Sequence, residues 1–209
     1  MLDKQKTNAS FIGFAGNIGV GKTTFTKLLS KNLLWTPYFE SVTDNPYLND
    51  FYNDMERWGF NLQIYFLHKR FQMHQKMSRS LIGVIQDRTI YEDKEIFARN
   101  LYQLGKLSSR DWDNYSGLFS VMTSYLKKPD LIIYLRAETD TLLSRIKSRG
   151  RDYEKSIDPD YVQTLNLSYD RWIQSLTDEA VMTIQTDDFN IFEDTGKFEE
   201  IKTEILERL

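Results

Sequence analysis

The feature that most constrains this chain is the stretch "GNIGVGKTT" at residues 16–24. It matches the pattern G-x-x-x-x-G-K-[ST], in which glycines let consecutive backbone N–H groups turn toward one anion. The apolar run "SFIGFA" (10–15) precedes it, and the amphipathic stretch "KTTFTKLLSKNL" follows it. A strand, a glycine-rich loop and a helix in this order predict a phosphate-binding P-loop in an α/β fold.

The rest of the chain repeats the alternation of short apolar runs with longer amphipathic stretches. Five such runs predict buried strands of a parallel sheet with helices on both faces: 10–15, 38–41, 81–86, 131–136 and 180–186. We expect one short and one long helix over 46–80, and two helices over 91–127 broken near Gly105. The sequence therefore predicts a single domain, residues 1–209, whose ligands bind at the carboxyl ends of the strands.

Composition limits the class of partner. The 209 residues carry a formal net charge of −3, whereas a general nucleic-acid binder is usually basic. Without cysteine, disulfides and thiolate metal sites are excluded, which fits a reducing cytosol. The start "MLDKQKTNAS" lacks the apolar centre of a secretory signal, and no apolar run approaches about 20 residues. We expect a cytoplasmic protein with no membrane span and no nucleic-acid partner.

The P-loop predicts a nucleoside triphosphate site, and ATP is the expected occupant. Lys22 can bridge the β- and γ-phosphates, and the Thr23 hydroxyl can bind Mg²⁺. The helix N-terminus that follows adds partial positive charge. The expected ATP-binding residues of the loop are Gly16, Asn17, Ile18, Gly19, Val20, Gly21, Lys22, Thr23 and Thr24.

Acidic residues follow two predicted strands. "LIGVIQDRT" ends in Asp87-Arg88-Thr89, where Asp87 is placed to help hold Mg²⁺ and Arg88 to steady a phosphate or the catalytic acid. Glu40 closes the second predicted strand and can accept a proton from an attacking hydroxyl. The alternative is that these are solvated turn residues, which are common after strands.

Basic and polar residues on two predicted helices suggest further parts of a site. Arg145 and Arg149 share a helix face, and with Arg151 they predict a lid over about 145–157 that neutralises developing charge; an ordinary basic helix end is the alternative.

Gln63 and Arg70 lie seven residues apart on one face of the long predicted helix. With Phe60, Leu67 and Phe71 nearby, they suggest a pocket for a polar planar ligand. A solvent-facing stripe is the alternative.

Taken together, these motifs resemble the deoxyribonucleoside kinase family, in its deoxycytidine/deoxyguanosine/deoxyadenosine kinase branch, from Phe11 to about Phe189. The resemblance implies a P-loop nucleoside kinase fold with an arginine-rich lid, ATP and Mg²⁺ as cofactors, a deoxynucleoside as substrate, and a homodimer. It implies that Glu40 is the general base for the sugar 5′-hydroxyl. The family commonly has Pro-Val after this glutamate, and this chain has Ser41-Val42.

The resemblance also implies a role for each remaining candidate. The residues that it places at the nucleoside are Tyr52 and Glu154 at the 3′-hydroxyl, Gln63, Arg70 and Asp93 at the base, and Phe97 stacked on the base. "DRT" matches the family's E/D-R-S motif and so makes Arg88 both catalytic and substrate-binding. Those that it places at the donor are Arg145, Arg149 and Arg151 at the phosphates, with Asp188 and Phe189 of "TDDF" near the adenine.

Other functions remain open at this stage. A nucleoside monophosphate kinase of thymidylate-kinase type is the nearest, although Glu40 would repel an acceptor phosphate. A GTP-binding regulatory switch usually carries an N-K-x-D motif, which we do not find, and a binding module would not need the intact Lys22 and acids. Gln63 alone does not choose the base, because its amide offers both a donor and an acceptor. By analogy with short bacterial kinases we expect deoxyadenosine first, then deoxyguanosine or deoxycytidine.

The stretch "WDNYSGLFSVMTSYL" (112–126) carries apolar residues on more than one helix face. Such a pattern exceeds a single core contact and predicts a homodimer interface. The alternative is a helix buried on two sides within one chain.

Overall fold

A computed structural model describes residues 9–40, 45–189, 191 and 193–209. The five strands within that part of the chain are β1 (Phe11–Ala15), β2 (Thr36–Tyr38), β3 (Val84–Asp87), β4 (Leu131–Arg136) and β5 (Val181–Gln185). They form one sheet in the order β2-β3-β1-β4-β5, and every neighbouring pair is parallel. The predicted α/β fold with a central five-stranded parallel sheet is confirmed.

Helices cover both faces of this sheet. Those in the described residues are α1 (Lys22–Leu33), α2 (Leu48–Asn53), α3 (Met55–Met77), α4 (Ile90–Glu92), α5 (Arg99–Gln103), α6 (Ser109–Thr123), α7 (Thr139–Arg149), α8 (Pro159–Ser175) and α9 (Thr195–Glu207). A π-helical segment, Asp93–Ala98, joins α4 to α5. The short and long helices expected over 46–80 are α2 and α3, and the break expected near Gly105 lies there, with a φ of 70°.

The second strand begins earlier than predicted. The sequence suggested 38–41, but β2 is Thr36–Tyr38, and residues 41–44 lie outside the described part of the chain. Pro37 is tolerated because β2 is an edge strand. A residue there can lack the backbone N–H without the loss of a hydrogen bond between strands. Glu40 therefore lies two residues beyond the end of the strand rather than closing it. Ser41 and Val42, which follow it, are outside the described residues.

The third strand is also displaced from its predicted limits. The apolar run was expected to pair over 81–86, but β3 is Val84–Asp87 and the side chains of Leu81 and Ile82 are mostly exposed. Gly83 separates the two halves, and a Cβ atom there would lie 2.2 Å from the Trp35 ring. The strand begins directly after this contact, at Val84, and ends at Asp87.

The central strands are apolar throughout because both faces of the sheet are covered. In β4, Ile133 belongs to a core shared with α1 and α9, whereas Ile132 and Tyr134 belong to one shared with α8. A further core lies among α2, α3 and α6. No helix in the described residues is long and apolar enough to cross a membrane.

Candidate active site

The P-loop connects β1 to α1 and takes a conformation that requires glycine. Gly16, Gly19 and Gly21 have φ angles of 144°, 86° and 107°, in the left-handed half of backbone space. A Cβ atom at Gly16 would also lie 2.5 Å from the Leu135 carbonyl oxygen. The loop can therefore present its backbone N–H groups to an anion only with this glycine pattern.

Lys22 is buried and folded over its own loop. Its Nζ donates to the carbonyl oxygen of Gly16 at 2.7 Å and to that of Asn17 at 3.0 Å. Burial, together with the nearby positive charge of Arg88, lowers the pKa of Lys22 to about 7. Within the described residues, the lysine is thus held by backbone oxygens of the loop rather than by a carboxylate.

Thr23 and Asp87 meet where β1 and β3 end side by side. The Thr23 hydroxyl donates to Asp87 Oδ2 at 2.5 Å, and Asp87 is buried. Adjacent hydroxyl and carboxylate oxygens suit Mg²⁺, which takes one or two protein ligands and completes its shell with water and substrate phosphates. Among the described residues, no group of three or more His, Cys, Asp or Glu side chains is arranged to hold a metal ion.

A buried cluster of charges lies beside the P-loop. Arg70 contacts Glu40 Oε1 and Asp93 Oδ2, each at 2.6 Å, and donates to the Arg88 carbonyl oxygen at 2.9 Å. The contact with Asp93 is a close, fully buried ion pair. Arg88 Nε lies 4.0 Å from Glu40 Oε2. Arg70 is therefore shared by two carboxylates that come from different elements.

The two carboxyl groups of this cluster differ in acidity. Burial raises the pKa of Glu40, but the positive charges of Arg70, Arg88 and Lys22 outweigh it, so the pKa is lowered. Burial raises the pKa of Asp93 to about 7, and Arg70 offsets only part of this effect. Glu40 is thus ionised at neutral pH, whereas Asp93 is close to its midpoint.

Arg88 occupies a strained turn at the end of β3. Its φ is 69°, in a region that few residues other than glycine adopt. The guanidinium carbon lies 4.4 Å from the centre of the Phe97 ring, and the backbone N–H donates to the Phe14 carbonyl at 3.0 Å. The turn directs Arg88 into the same cavity as Glu40.

The cavity that contains these charges extends along α3. Gln63 lines it, and within the described residues its buried Oε1 has no hydrogen-bond partner. The apolar walls include Leu62 and Phe66, not Phe60, Leu67 and Phe71 as the sequence suggested. Leu67 instead points into a core, and Phe71 packs against that core. The shared face of Gln63 and Arg70 is confirmed as a cavity wall, which excludes the solvent-facing alternative.

Residues of the predicted lid line this cavity, and two of its arginines pair with a carboxylate of the same segment. Arg149 donates to both carboxylate oxygens of Glu154, at 3.0 Å and 2.6 Å, and Arg151 Nη1 lies 3.5 Å from Oε1 of the same residue. The Tyr153 ring stacks on that of Tyr52, 6.3 Å between centres with an interplanar angle of 8°. The lid thus contacts α2 directly.

A second cavity lies on the other side of the P-loop. Arg145 donates to the carbonyl oxygen of Thr186 and, at 3.1 Å, to its hydroxyl. Asp188 and Phe189 line this cavity. The residues that line both cavities are Gly19, Lys22, Thr23, Arg149 and Arg151. The structure therefore brings the sequence-predicted residues to two cavities that share the P-loop and residues of the predicted lid, with the exception of Gly16 and Asn17. Both were expected to bind ATP, but neither lines either cavity, and the buried Asn17 side chain instead donates to the Val162 carbonyl oxygen at 2.9 Å.

Several residues at the site were not predicted from the sequence, among them two tyrosines and a buried glutamate. Tyr153 and Tyr161 line the first cavity, and aromatic residues give no local signal for such a position. Glu92 is fully buried beside the P-loop. Its local signal was present, because Thr89 followed three residues later by a glutamate is a capping box, and the structure contains that box.

The sequence of this chain is similar to known proteins over most of its length. The family model described as deoxynucleoside kinase matches residues 12–209. A deoxyadenosine/deoxycytidine kinase of Bacillus subtilis is 39% identical over 198 residues, 94% of this chain and 91% of that protein. A deoxyadenosine kinase of Dictyostelium discoideum is 42% identical over 176 residues, 84% of this chain and 71% of that protein.

The solved structures agree with these relatives. The structure of a deoxyadenosine kinase from M. mycoides with bound dCTP superimposes with a TM-score of 0.82 at 31% identity, covering 94% of this chain and 99% of that one. Sequence, fold and site thus point to one assignment. The chain belongs to the deoxynucleoside kinase family.

Proposed function

We propose that this deoxynucleoside kinase transfers the γ-phosphoryl group of ATP to the 5′-hydroxyl of a deoxynucleoside, with deoxyadenosine preferred. The observation that carries the proposal is the placement of Glu40. It lies in a cavity that adjoins the P-loop, ionised and oriented by Arg70 at 2.6 Å. Membership of the deoxynucleoside kinase family supports neither of the two alternative functions, a nucleoside monophosphate kinase and a GTP-binding switch.

In the proposed reaction, Glu40 accepts the proton of the 5′-hydroxyl as the new bond forms. The hydroxyl oxygen bonds to the γ-phosphorus while the bond from that phosphorus to the β-γ bridging oxygen breaks, which releases ADP. The lowered pKa of Glu40 keeps it ready as an acceptor at neutral pH. Transfer of the proton accompanies bond formation, since a carboxylate is too weak a base to remove it beforehand.

On the donor side, the P-loop holds the phosphates through backbone N–H groups, and Lys22 exchanges its carbonyl partners for phosphate oxygens. Thr23 and Asp87 would hold Mg²⁺, which would supply positive charge to offset that of the phosphates. Arg149 and Arg151 face both cavities and so can offset charge on the group in transit.

Base recognition is proposed for Gln63, Arg70 and Asp93, with Phe97 beneath the ring. Support comes from the unpartnered Gln63 Oε1 and from the polar pair of Arg70 and Asp93 in the same cavity. A carboxylate there accepts from an exocyclic amine, as on adenine or cytosine, whereas thymine presents a methyl group and a carbonyl oxygen. The two relatives described above are named for deoxyadenosine, one of them also for deoxycytidine.

The sugar is proposed to contact Tyr52 and Glu154 through its 3′-hydroxyl. Both line the cavity, as do other residues of the predicted lid. Because Arg149 and Arg151 already donate hydrogen bonds to the Glu154 carboxylate, a bound 3′-hydroxyl would share this acceptor with the two arginines. Sugar binding and lid position are coupled in this arrangement.

The test measures kcat/KM with ATP for the four deoxynucleosides and, under the same conditions, for their 5′-monophosphates, in wild type and in Glu40→Gln. We expect deoxyadenosine to lead and thymidine to be used poorly, by about ten- to hundred-fold. Glu40→Gln should lower kcat by about 10²-fold or more, with nucleoside binding largely retained. Near-normal kcat in the variant excludes the base role, and a preference for nucleotides over nucleosides excludes the proposed acceptor.

The assembly is proposed to be a homodimer in the cytoplasm. On and just after α6, the side chains of Leu118, Val121 and Tyr125 lie three and four residues apart and are 42%, 61% and 81% exposed, while Tyr115 and Phe119 are buried. One face of the helix therefore packs within the chain and the other remains open to a second copy.

A further inference from the structure

Glu92 is a fully buried carboxylate for which the proposed mechanism has no use. It is the last residue of α4, between the strained Arg88 turn and the segment that carries Asp93. Burying a carboxylate is costly unless donors surround its oxygens. The donors that Glu92 attracts are therefore informative about its role.

Each oxygen of Glu92 has a partner from a separate part of the chain. Oε1 accepts from the Thr89 backbone N–H at 2.8 Å, and Oε2 accepts from the Tyr169 hydroxyl at 2.7 Å and from the Gly16 N–H at 3.3 Å. Arg88 Nε lies 4.0 Å from Oε2. One side chain thus joins the start of the P-loop, the turn after β3, and α8.

These contacts connect the two halves of the proposed reaction. Gly16 begins the loop on the donor side, and its carbonyl oxygen accepts from Lys22. The Arg88–Thr89 turn lies on the acceptor side, with Arg88 facing Glu40. Glu92 itself is absent from the described residues that line either cavity. Its influence on substrates is therefore indirect, through the groups that it holds and through its charge near Lys22 and Arg88.

We propose that Glu92, held by Tyr169, is a positioning residue that fixes the P-loop and the Arg88 turn relative to each other. The inference rests on the proposed roles of the P-loop and Arg88. The carboxylate is required because four donors converge on it, namely two backbone N–H groups and the hydroxyls of Tyr169 and, at 3.4 Å, Thr89. A glutamine offers one acceptor oxygen and adds two donors, so that at least one pair of donors would face each other.

The experiment compares Glu92→Gln and Tyr169→Phe with wild type in steady-state phosphorylation of deoxyadenosine, with nucleoside affinity measured separately by calorimetry. The matched control is Asp170→Asn. Asp170 lies on α8 and, like Glu92, accepts a hydrogen bond from a tyrosine, the Tyr134 hydroxyl at 2.8 Å. It also pairs with Arg136 and lines neither cavity. All variants are compared at equal folded fraction by circular dichroism.

We expect Glu92→Gln to lower kcat by about 10- to 100-fold, the size expected for a lost hydrogen bond to a charged group. Nucleoside affinity should change by less than about three-fold, since no base or sugar contact is touched. Tyr169→Phe should lower kcat less, because the carboxylate keeps its two backbone donors. Asp170→Asn should leave kcat near wild type.

Two results overturn the positioning role: kcat within about two-fold of wild type in folded Glu92→Gln, or an equal loss in Asp170→Asn, which signals general destabilisation. If Glu92→Gln does not fold, Tyr169→Phe decides, and unchanged kcat there overturns the role. Wild-type activity in the same assay tests the proposed function separately, because an inactive wild type refutes the reaction whatever the variants do.

Discussion

Replacing Asp93 by asparagine should change how the stability of the free enzyme depends on pH. Asp93 is 1% exposed, and burial raises its pKa from 3.8 to about 7 despite the contact with Arg70. Asparagine keeps the size of the side chain and cannot ionise. In the variant, Arg70 retains Glu40 and the Arg88 carbonyl as partners.

The direction follows from proton linkage. A carboxyl group whose pKa is higher in the native state keeps its proton in the folded chain after the unfolded chain has lost it. Its contribution to stability is therefore greatest below pH 3.8 and declines as the pH rises to about 7. Integrated from about pH 5.5 to about pH 8, this linkage removes about 2 kcal/mol from the wild type and nothing from the variant.

The assay is urea unfolding of both proteins, without ligands, at these two pH values. The quantity to compare is the free energy of unfolding of Asp93→Asn minus that of wild type. Other groups whose pKa is shifted by burial, among them His74 and Lys22, are present in both proteins and cancel in the difference. Glu40, with its lowered pKa, contributes at more acidic pH, outside this range.

The difference should move in favour of Asp93→Asn by about 2 kcal/mol as the pH rises. A difference that stays constant between the two pH values would show that Asp93 is already ionised in the native state. That result would mean that the contact with Arg70 outweighs burial, and it would refute the assignment of a raised pKa.

The lid, the stacked tyrosines and the open face of α6 each give a measurable expectation. Replacing Arg149 and Arg151 together with alanine should lower kcat by about 10²-fold, and a rise in nucleoside KM alone would contradict the lid role. Tyr153→Leu should raise the nucleoside KM by about three-fold or more while Tyr153→Phe does not, and equal effects would exclude stacking as the cause. Val121→Lys with Tyr125→Lys should reduce the particle in light scattering to 24.8 kDa, and a wild type already of that mass excludes the dimer.

The sequence was sufficient to predict those parts of the fold that depend on neighbouring residues alone. The glycine spacing of the P-loop and the strand before it are set by backbone geometry and by burial on both faces, and both are readable from sequence. The limits of β2 and β3 were misplaced because pairing decides them. Pro37 is acceptable only at an edge, and Leu81 is left outside the sheet although it is apolar.

The site shows the same division between local and tertiary causes. Glu40, Gln63 and Asp93 are brought to one cavity, but no spacing reveals that a single Arg70 is shared by two carboxylates. The Thr89–Glu92 capping box was visible as a local pattern. Its contact with Gly16 spans 76 residues and arises only when β1 and β3 lie side by side.

The order of the strands has a consequence for how such enzymes diverge. Glu40, the Asp87–Arg88 turn and the P-loop follow β2, β3 and β1, which are neighbours in the sheet, so strand spacing of about 4.8 Å sets their separation. Gln63 and Phe97, by contrast, lie on α3 and the π-helical segment. If Gln63 and Phe97 hold the base as proposed, substitutions at these two positions would alter the base that is accepted while leaving the proposed transfer residues in place. A lineage can therefore exchange one nucleoside for another without passing through an inactive ancestor.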